Sequence, residues 1–431
     1  MTRTAEAVLI TIGAGLAAFG VALVDFAGGE AIGAQVGLTF LVFLIAFGGL
    51  HVAVRAWAPD ASPLLLPPVC VLAAIGFMEV YRLSPYQAGL QRWWLLIASG
   101  VAVALLALLS RYGLAIIRRY RNLMLLGAVA LLLLPNLPST GPLPIKGLAE
   151  NGSRLWIQFD LGFTQLHFQP AEIAKLLFVS FLAGYLADRQ AALTGAHRRM
   201  GPLSIPEPRQ LLPLLLVWGG SLLILIYQRD LGASLLLFIT FTALLYAATG
   251  SAGYLLTGGL LAVGGGVAAW AAFSHVQRRV EAWLFPFRDY ADTGYQVAQG
   301  IFALGTGSLS GSGPGLGQPG LIPNAVTDFI FAAVGEELGL AGSIAVLACF
   351  ALFLAAGFGI ALRARDRFRT LLAAGLTFVL GLQAFLIIAG VVRVLPLTGI
   401  TLPFMSYGGS ALVGNFLVLA MLERASHEER S

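Results

Sequence analysis

Long, uninterrupted apolar stretches restrict the fold of this chain more than any other feature. A helix needs about 20 apolar residues to cross the hydrocarbon core of a bilayer, and such stretches recur throughout the 431 residues. Only 11% of the residues are charged, whereas soluble domains carry about 25%. This proportion excludes a soluble enzyme, a disordered chain and a nucleic-acid-binding domain. Because the stretches lack the alternating polarity of an outer-membrane barrel, we predict an all-α polytopic integral membrane protein.

About 12 segments have the length and composition of transmembrane helices. They cover approximately residues 5–24, 33–57, 64–80, 93–109, 122–137, 170–187, 210–227, 231–249, 252–274, 329–361, 371–392 and 409–423.

Basic residues concentrate on one side of this arrangement. Sixteen of the 26 Lys and Arg residues lie on that side, and the positive-inside rule assigns it to the cytoplasm. The three densest groups are Arg111, Arg118, Arg119 and Arg121; Arg189, Arg198, Arg199 and Arg209; and Arg363, Arg365, Arg367 and Arg369. The sequence therefore predicts an N-in, C-in topology, with the connections at 138–169, 275–328 and 393–408 outside.

Two ionisable residues lie at the start of the sixth predicted span. Pro170 suits the first turn of a helix, and Glu172 and Lys175 then share one face at a spacing of three. Ionisable residues inside a span usually face the interior of the helix bundle. The residues alone leave two interpretations open: an ion pair that only stabilises the helix, or a pair with a functional role.

The turn at Asp230 joins two predicted spans. An Asp at this position accepts hydrogen bonds from the first backbone amides of the following helix. We therefore expect a tight external hairpin with Asp230 as its N-cap.

The external connection 275–328 is far longer than the usual 2–8 residues between bundled helices. Arg278 and Arg279 are adjacent there, and Gln296 follows, before a glycine-rich run from Gly305 to Gly320. Two neighbouring Arg residues suit bidentate binding of phosphate or pyrophosphate. Equally, they suit side chains that extend to the lipid headgroups.

Asp328 opens the tenth predicted span from the outside, and Glu337 lies further along it. One interpretation makes Thr327 or Asp328 an N-cap. The other makes Asp328 a general base whose pKa is raised by desolvation at the lipid–water boundary. The two conflict, because a carboxylate bound to backbone amides is a weaker base.

Residues 395–410 combine Pro, Gly and hydroxyl residues, including Ser406 and Tyr407, at membrane depth. This composition predicts a broken helix, which is tolerated only when buried in protein or lining a cavity. Transporters use broken helices at binding sites as well, so the feature does not separate an enzyme from a transporter.

Together these motifs resemble the SEDS family (shape, elongation, division and sporulation), the RodA, FtsW and SpoVE peptidoglycan polymerases, and most closely its RodA branch. The resemblance covers about residues 138–424, with the motifs at 169–175, 228–232, 327–339 and 395–410 in the family's order. The departures are Ala171 for Ser, Arg229 for Pro, Gly300 for Ser, and Leu155 inserted between Arg154 and Trp156.

The resemblance implies a SEDS-type helical bundle. Family members usually have ten spans, so we expect an additional N-terminal helix pair in residues 1–62 and the polymerase core in residues 63–431. An even addition preserves the predicted topology.

The resemblance also implies an activity, namely polymerisation of lipid II into β-1,4 glycan strands on the outer face of the bacterial cytoplasmic membrane. By position, Asp328 matches the family's essential Asp and would be the general base of an inverting glycosyltransferase, which needs no covalent intermediate. Candidate residues for binding substrate or its pyrophosphate are Lys175, Glu172, Arg154, Arg278, Arg279, Gln296, Glu337, Ser406 and Tyr407. No organic cofactor is expected, and Mg²⁺ or Mn²⁺ is a candidate cation whose ligands the sequence does not identify.

The partner implied by the resemblance is a class B penicillin-binding protein, a cell-wall transpeptidase, besides membrane lipid and the lipid II substrate. Two other functions stay open: a flippase for lipid-linked precursors, and a non-catalytic scaffold for the transpeptidase. The sequence does not decide between elongation and division, although we favour elongation.

Overall fold

The structure is a computed structural model that describes residues 2–430 except 139–144, 151–152, 161–164, 196, 201–202, 207–218, 221 and 225. Its named α-helices are α1 (Arg3–Ala27), α2 (Ala34–Trp57), α3 (Leu66–Leu83), α4 (Pro85–Tyr112), α5 (Ala115–Arg119), α6 (Arg121–Leu133), α7 (Ala171–Gly195), α8 (Leu231–Thr249), α9 (Ala252–Ala272), α10 (Ser274–Leu284), α11 (Tyr295–Gly307), α12 (Ile330–Glu337), α13 (Gly339–Arg363), α14 (Arg367–Val391) and α15 (Gly409–Arg430).

Eight helices within the described residues are long and apolar enough to cross a membrane. They are α1, α2, α3, α4, α8, α9, α13 and α14. The chain is thus a multi-pass membrane protein, and the predicted helical membrane fold is confirmed. The count of about 12 spans and the N-in, C-in topology stay predictions. The predicted span 210–227 falls largely outside the described residues.

The tenth predicted span, 329–361, is not one helix. It is divided into α12 and α13 at Gly339, whose φ of +66° lies in the left-handed region. The first amides of α13 turn away from α12: Leu340 N donates to Ser308 O at 3.0 Å and Ala341 N donates to Leu309 O at 3.2 Å. The prediction was wrong because glycine is frequent within transmembrane helices and gave no sign of a break.

Two small antiparallel sheets are present that the apolar stretches did not predict. The first has the order β1 (Ile145–Glu150), β2 (Ser153–Asp160), β3 (Gln165–Phe168), and the second pairs β4 (His197–Met200) with β5 (Leu203–Pro206). Short 3₁₀ helices cover Leu134–Asn136 and Pro319–Leu321.

The chain divides into two compact units. The first contains Met1–Arg111, Ala269–Gly359 and Leu380–Ser431, and the second contains Tyr112–Ala268 and Ile360–Val379. Aromatic rings organise the core of the first unit, where Phe404 packs edge-on against Phe353 and Phe416. The three rings bury large apolar surfaces against one another, and this packing holds the loop that contains Phe404 in position.

The N-terminal helix α1 packs closely on α3 in the first unit. Gly13 and Gly20 face Cys70 and Met78, and a Cβ at either glycine would meet those side chains at 2.6 Å and 2.8 Å. At the start of α1, the Arg3 guanidinium donates to the Ala61 carbonyl at 2.7 Å. Small residues let the two backbones approach, which is how membrane helices associate.

Candidate active site

Asp328 lies in a turn just before α12 and is partly exposed. The N-cap of α12 is Phe329, and no side chain donates or accepts a capping hydrogen bond there. Asp328 is therefore not the N-cap, and its carboxylate is not tied to the first amides of the helix. Of the two interpretations of this residue, the structure favours the one that leaves the carboxylate available.

The turn is folded around the carbonyl oxygen of Asn324. The backbone amides of Thr327 and Asp328 donate to this oxygen at 3.1 Å and 3.2 Å, and the Thr327 hydroxyl donates to it at 3.2 Å. Asn324 has a φ of +55°, a conformation that Asn tolerates better than most residues. The Gln296 amide donates to the carbonyl of Pro323 at 2.8 Å and so fastens the turn to α11.

The broken segment 395–408 is hydrogen-bonded to this turn through Ser406 and Tyr407. The Ser406 hydroxyl donates to Thr327 O at 2.5 Å and accepts from Leu402 N at 2.9 Å. The Tyr407 amide donates to Val326 O at 2.8 Å. These contacts assign Ser406 to positioning the turn, because its hydroxyl is already engaged with protein atoms.

Arg279 on α10 is hydrogen-bonded to the same segment. Its guanidinium donates to Thr398 O at 2.9 Å, and its positive charge lowers the pKa of the Asp328 carboxyl group. Arg279 and the adjacent Arg278 are both exposed. Helix α10 is held in place at its other end by Trp283 and Arg393, whose side chains each donate to the other's carbonyl, at 3.0 Å and 3.1 Å.

Desolvation raises the pKa of Asp328 to about 6, although the Thr327 hydroxyl and the Arg279 charge both act to lower it. A carboxylate with this pKa is mostly ionised at neutral pH and is still basic enough to accept a proton. The best catalytic base has a pKa near the operating pH. The turn therefore carries a group suited to general-base chemistry.

Gly300 lets α11 approach Phe329, the residue that follows Asp328. A Cβ at position 300 would meet the Phe329 ring at 2.6 Å. The departure from Ser at this position thus has a local reason, because in this chain the ring occupies the space that a Ser side chain would need.

Glu337 occupies a structural position. It is fully buried, accepts from Arg82 Nε at 3.2 Å, and accepts from the amide of Gly315 at 2.8 Å. Arg82 also donates to the carbonyl of Gly317 at 3.0 Å. Both carboxylate oxygens are thus bonded within the protein, and Glu337 anchors the glycine-rich run through Gly315.

Two residues that sequence reasoning missed support the site. Arg82 pairs with Glu337, and the Gln91 side chain donates to the Ser406 carbonyl at 3.3 Å. The available signal was polarity, since Arg82 lies in the last turn of α3 and Gln91 is a polar residue of the membrane-length helix α4.

Glu172, Lys175 and Arg154 belong to the second unit, whereas Asp328 belongs to the first. Lys175 Nζ and Glu172 Oε2 form a buried ion pair at 2.6 Å, as their spacing predicted. Arg154 is exposed on β2. Of the predicted site residues, the structure brings Arg279, Gln296, Ser406 and Tyr407 to the segments that hold Asp328.

The predicted cap at Asp230 is confirmed. Asp230 Oδ1 accepts from the amide of Ala233 at 2.9 Å, at the start of α8. Arg229 has a φ of +62°, which proline cannot adopt because its ring fixes φ near −65°. The Arg at this position is therefore compatible with the observed turn, and Pro would not be.

Within the described ranges, no group of three or more His, Cys, Asp or Glu residues could hold a metal ion. The candidate Mg²⁺ or Mn²⁺ stays a prediction from the family resemblance.

A sequence model for the FtsW/RodA/SpoVE group, described as cell cycle protein, matches residues 63–431 of this chain. The chain belongs to the FtsW/RodA/SpoVE family. Helices α1 and α2 lie before the matched range.

Individual proteins of this family are similar to the chain over most of its length. The peptidoglycan glycosyltransferase RodA of Mycobacterium bovis is 39% identical over 400 residues, covering 90% of this chain and 83% of that protein. The protein of Mycobacterium leprae with the same name is 37% identical over the same length. The probable peptidoglycan glycosyltransferase FtsW of a Geobacter species is 35% identical over 307 residues, or 71% of this chain and 78% of that protein.

Solved structures of family members have a similar fold. A chain from a study of how a peptidoglycan synthase complex coordinates polymerization and crosslinking superposes with a TM-score of 0.63 at 26% identity, covering 84% of this chain and 96% of that chain. The crystal structure of the rod shape determining protein RodA of Thermus thermophilus gives a TM-score of 0.54 at 25% identity, with the same coverage.

Proposed function

We propose that this chain is an inverting peptidoglycan glycosyltransferase that polymerises lipid II into β-1,4 glycan strands at the outer face of the bacterial cytoplasmic membrane. The names of relatives up to 39% identical support the reaction class. The observation that carries the proposal is the Asp328 carboxylate, which is free of helix capping, has a pKa raised to about 6 and lies within reach of the Arg279 charge.

In the proposed reaction, Asp328 accepts the proton of the 4-hydroxyl on the acceptor sugar. The oxygen forms a bond to C1 of the donor sugar while the bond from C1 to the pyrophosphate oxygen breaks. The electron pair of that bond leaves with undecaprenyl pyrophosphate. A single displacement inverts the configuration at C1 and needs one base and no covalent intermediate.

Arg279 has two roles in this proposal. Its charge lowers the pKa of Asp328 and so keeps the base ionised, and with the exposed Arg278 it offers cationic donors to the leaving pyrophosphate. Fixed donors aimed at developing charge are among the largest contributions to catalysis. Ser406, Tyr407 and Gln296 keep the turn of Asp328 in place through hydrogen bonds to its backbone carbonyls.

The roles of Lys175, Glu172 and Arg154 are a separate part of the proposal. Lys175 remains a candidate cation for the pyrophosphate, with Glu172 as its ion-pair partner. Arg154, an exposed residue of β2, is a candidate for contacts with the substrate.

The proposed partner is a class B penicillin-binding protein. The solved structure of a peptidoglycan synthase complex that couples polymerization to crosslinking supports a shared assembly. The RodA names of the 39% identical relatives favour cell elongation over division.

Purified full-length protein in detergent tests the reaction class. We expect it to convert lipid II into glycan polymer that a gel resolves, alone or with the transpeptidase partner added. A flippase yields no polymer in detergent, because no compartments remain. A scaffold yields none unless the partner brings its own polymerase. Absence of polymer in both arms contradicts the proposal.

A further inference from the structure

The sheet β1–β2–β3 has two faces of different chemistry. Neighbouring residues on a strand point to opposite faces, and paired residues on adjacent strands point to the same face. The pairs Gly147 with Ile157 and Ile157 with Phe168 therefore share one face. On the other face, Lys146 pairs with Gln158 and Gln158 pairs with His167, while Leu148 pairs with Trp156. The first face is apolar, and the second is polar, basic and aromatic.

The apolar face is covered by the protein. Ile157 is 1% exposed, and Gly147 lies so close to the carbonyls of Pro135 and Leu137 that a side chain there would collide with them. The 3₁₀ helix that contains Pro135 thus packs against this face. The polar face must then point away from that helix.

The polar face remains accessible. Arg154 and His167 are exposed, and Lys146, Trp156 and Gln158 are partly exposed. We call these five residues the sheet face. Antiparallel sheets commonly have one face packed against the protein and the other exposed to solvent. That arrangement does not require a Trp on the solvent-exposed face.

The sheet face matches the chemistry of a carboxylated polysaccharide. The flat Trp156 ring offers an apolar surface to the C–H side of a sugar ring, and the Gln158 amide can donate to and accept from hydroxyls. Lys146 and Arg154 supply cations for carboxylates.

We infer that the sheet face binds the growing glycan strand, whose peptide substituents carry carboxylates. The inference rests on the proposed function, which supplies that polymer, and on the predicted topology, which places residues 138–169 outside with residues 275–328. Retention of the strand at a second surface keeps it associated with the protein between successive additions.

Binding of preformed strands tests this inference independently of polymerisation. Full-length Asp328→Asn protein in detergent is titrated with soluble, uncrosslinked glycan strands that retain their peptides, and affinity is measured by thermophoresis. Adding Trp156→Ala is expected to weaken binding about tenfold or more, and Trp156→Phe to restore most of it. Lys146→Glu is expected to weaken binding in a salt-dependent way.

The matched control is Arg288→Glu, which reverses an exposed charge in another external connection and should not change the affinity. Thermal unfolding of each variant checks that it is folded. Unchanged affinity in folded Trp156→Ala and Lys146→Glu proteins overturns the inference. So does equal, Trp156-dependent binding to phosphatidylglycerol vesicles without glycan, which identifies the face as a membrane contact. If the wild-type protein makes no polymer but glycan binding still depends on the sheet face, the inference stands and the proposed function is contradicted.

Discussion

The Ser406 hydroxyl donates a hydrogen bond of 2.5 Å to the carbonyl of Thr327, the residue directly before Asp328. The same hydroxyl accepts from the Leu402 amide, so it joins two segments that lie far apart in the chain. The broken helix at 395–408 therefore supports the turn that presents the proposed base. The hydroxyl of Ser406 and the backbone amide of Tyr407 account for this support.

Removing the Arg279 charge should shift the pH dependence of polymerisation. Because Arg279 lowers the pKa of Asp328 from what burial alone would give, Arg279→Gln should raise that pKa above about 6. Activity depends on the ionised carboxylate, so the acid limb of the kcat/KM profile should move to higher pH. Initial rates of glycan formation between about pH 5 and pH 8 measure this shift.

Arg278→Gln is the control for the Arg279 variant, since it removes an adjacent exposed charge. Its acid limb should stay near that of the wild type even if its rate falls. Equal displacement of the limb in both variants would show that overall charge, and not the charge of Arg279 in particular, sets the pKa of Asp328.

The ionised Asp328 carboxylate should lower the free energy of unfolding at neutral pH. Its folded pKa is raised from 3.8 to about 6, so the folded state binds more protons than the unfolded state between these values, and stability falls as pH rises through them. Asp328→Asn should thus increase the free energy of unfolding at pH 7 by about 1–3 kcal/mol and show little gain near pH 4. Thermal unfolding at the two pH values is the measurement, and a loss of stability at pH 7 would count against the desolvated carboxylate.

Gly300→Ser should disturb the site through Phe329. The added side chain would meet the ring, and overpacking of this kind costs about 1–3 kcal/mol. We expect a lower unfolding temperature and slower glycan synthesis. Gly305→Ser on the same helix is the control, because nothing lies within 4 Å of its Cβ position, and it should behave like the wild type.

Mutations of Glu172 and Lys175 should have non-additive effects on the free energy of unfolding. Removing one partner leaves a buried charge without its partner in the 2.6 Å ion pair, which typically costs about 3–5 kcal/mol. Glu172→Ala and Lys175→Ala should each destabilise the protein more than the double variant does. A double-mutant cycle from thermal unfolding measures this coupling, and additive losses would argue against the pair.

How much the sequence could predict depended on the range of the interaction. The Glu172–Lys175 pair and the Asp230 cap involve residues three positions apart, so local spacing identified both. Glu337 pairs with Arg82, which is 255 positions away, and no local pattern shows that its carboxylate is already engaged. For that reason the sequence assigned Glu337 to substrate binding and gave no sign of its bonds to Arg82 and Gly315.

The sequence also failed to identify the hydrogen-bond partners of two site residues, because those partners are backbone carbonyls. Ser406 and Gln296 were identified as site residues, but their partners are the carbonyls of Thr327 and Pro323, which leave no trace in residue type. The β1–β3 sheet was missed for another reason: its strands of four to eight residues give much weaker signals than the long apolar stretches around them.

The most direct test of the account compares glycan synthesis by purified Asp328→Asn protein with synthesis by Asp292→Asn, which changes an exposed carboxylate in the same 275–328 connection. With saturating lipid II, the account predicts that Asp292→Asn keeps the wild-type initial rate and that Asp328→Asn falls by a factor of about 10²–10⁴ while it still binds lipid II. Synthesis by Asp328→Asn at the wild-type rate would contradict the assignment of this carboxylate as the base.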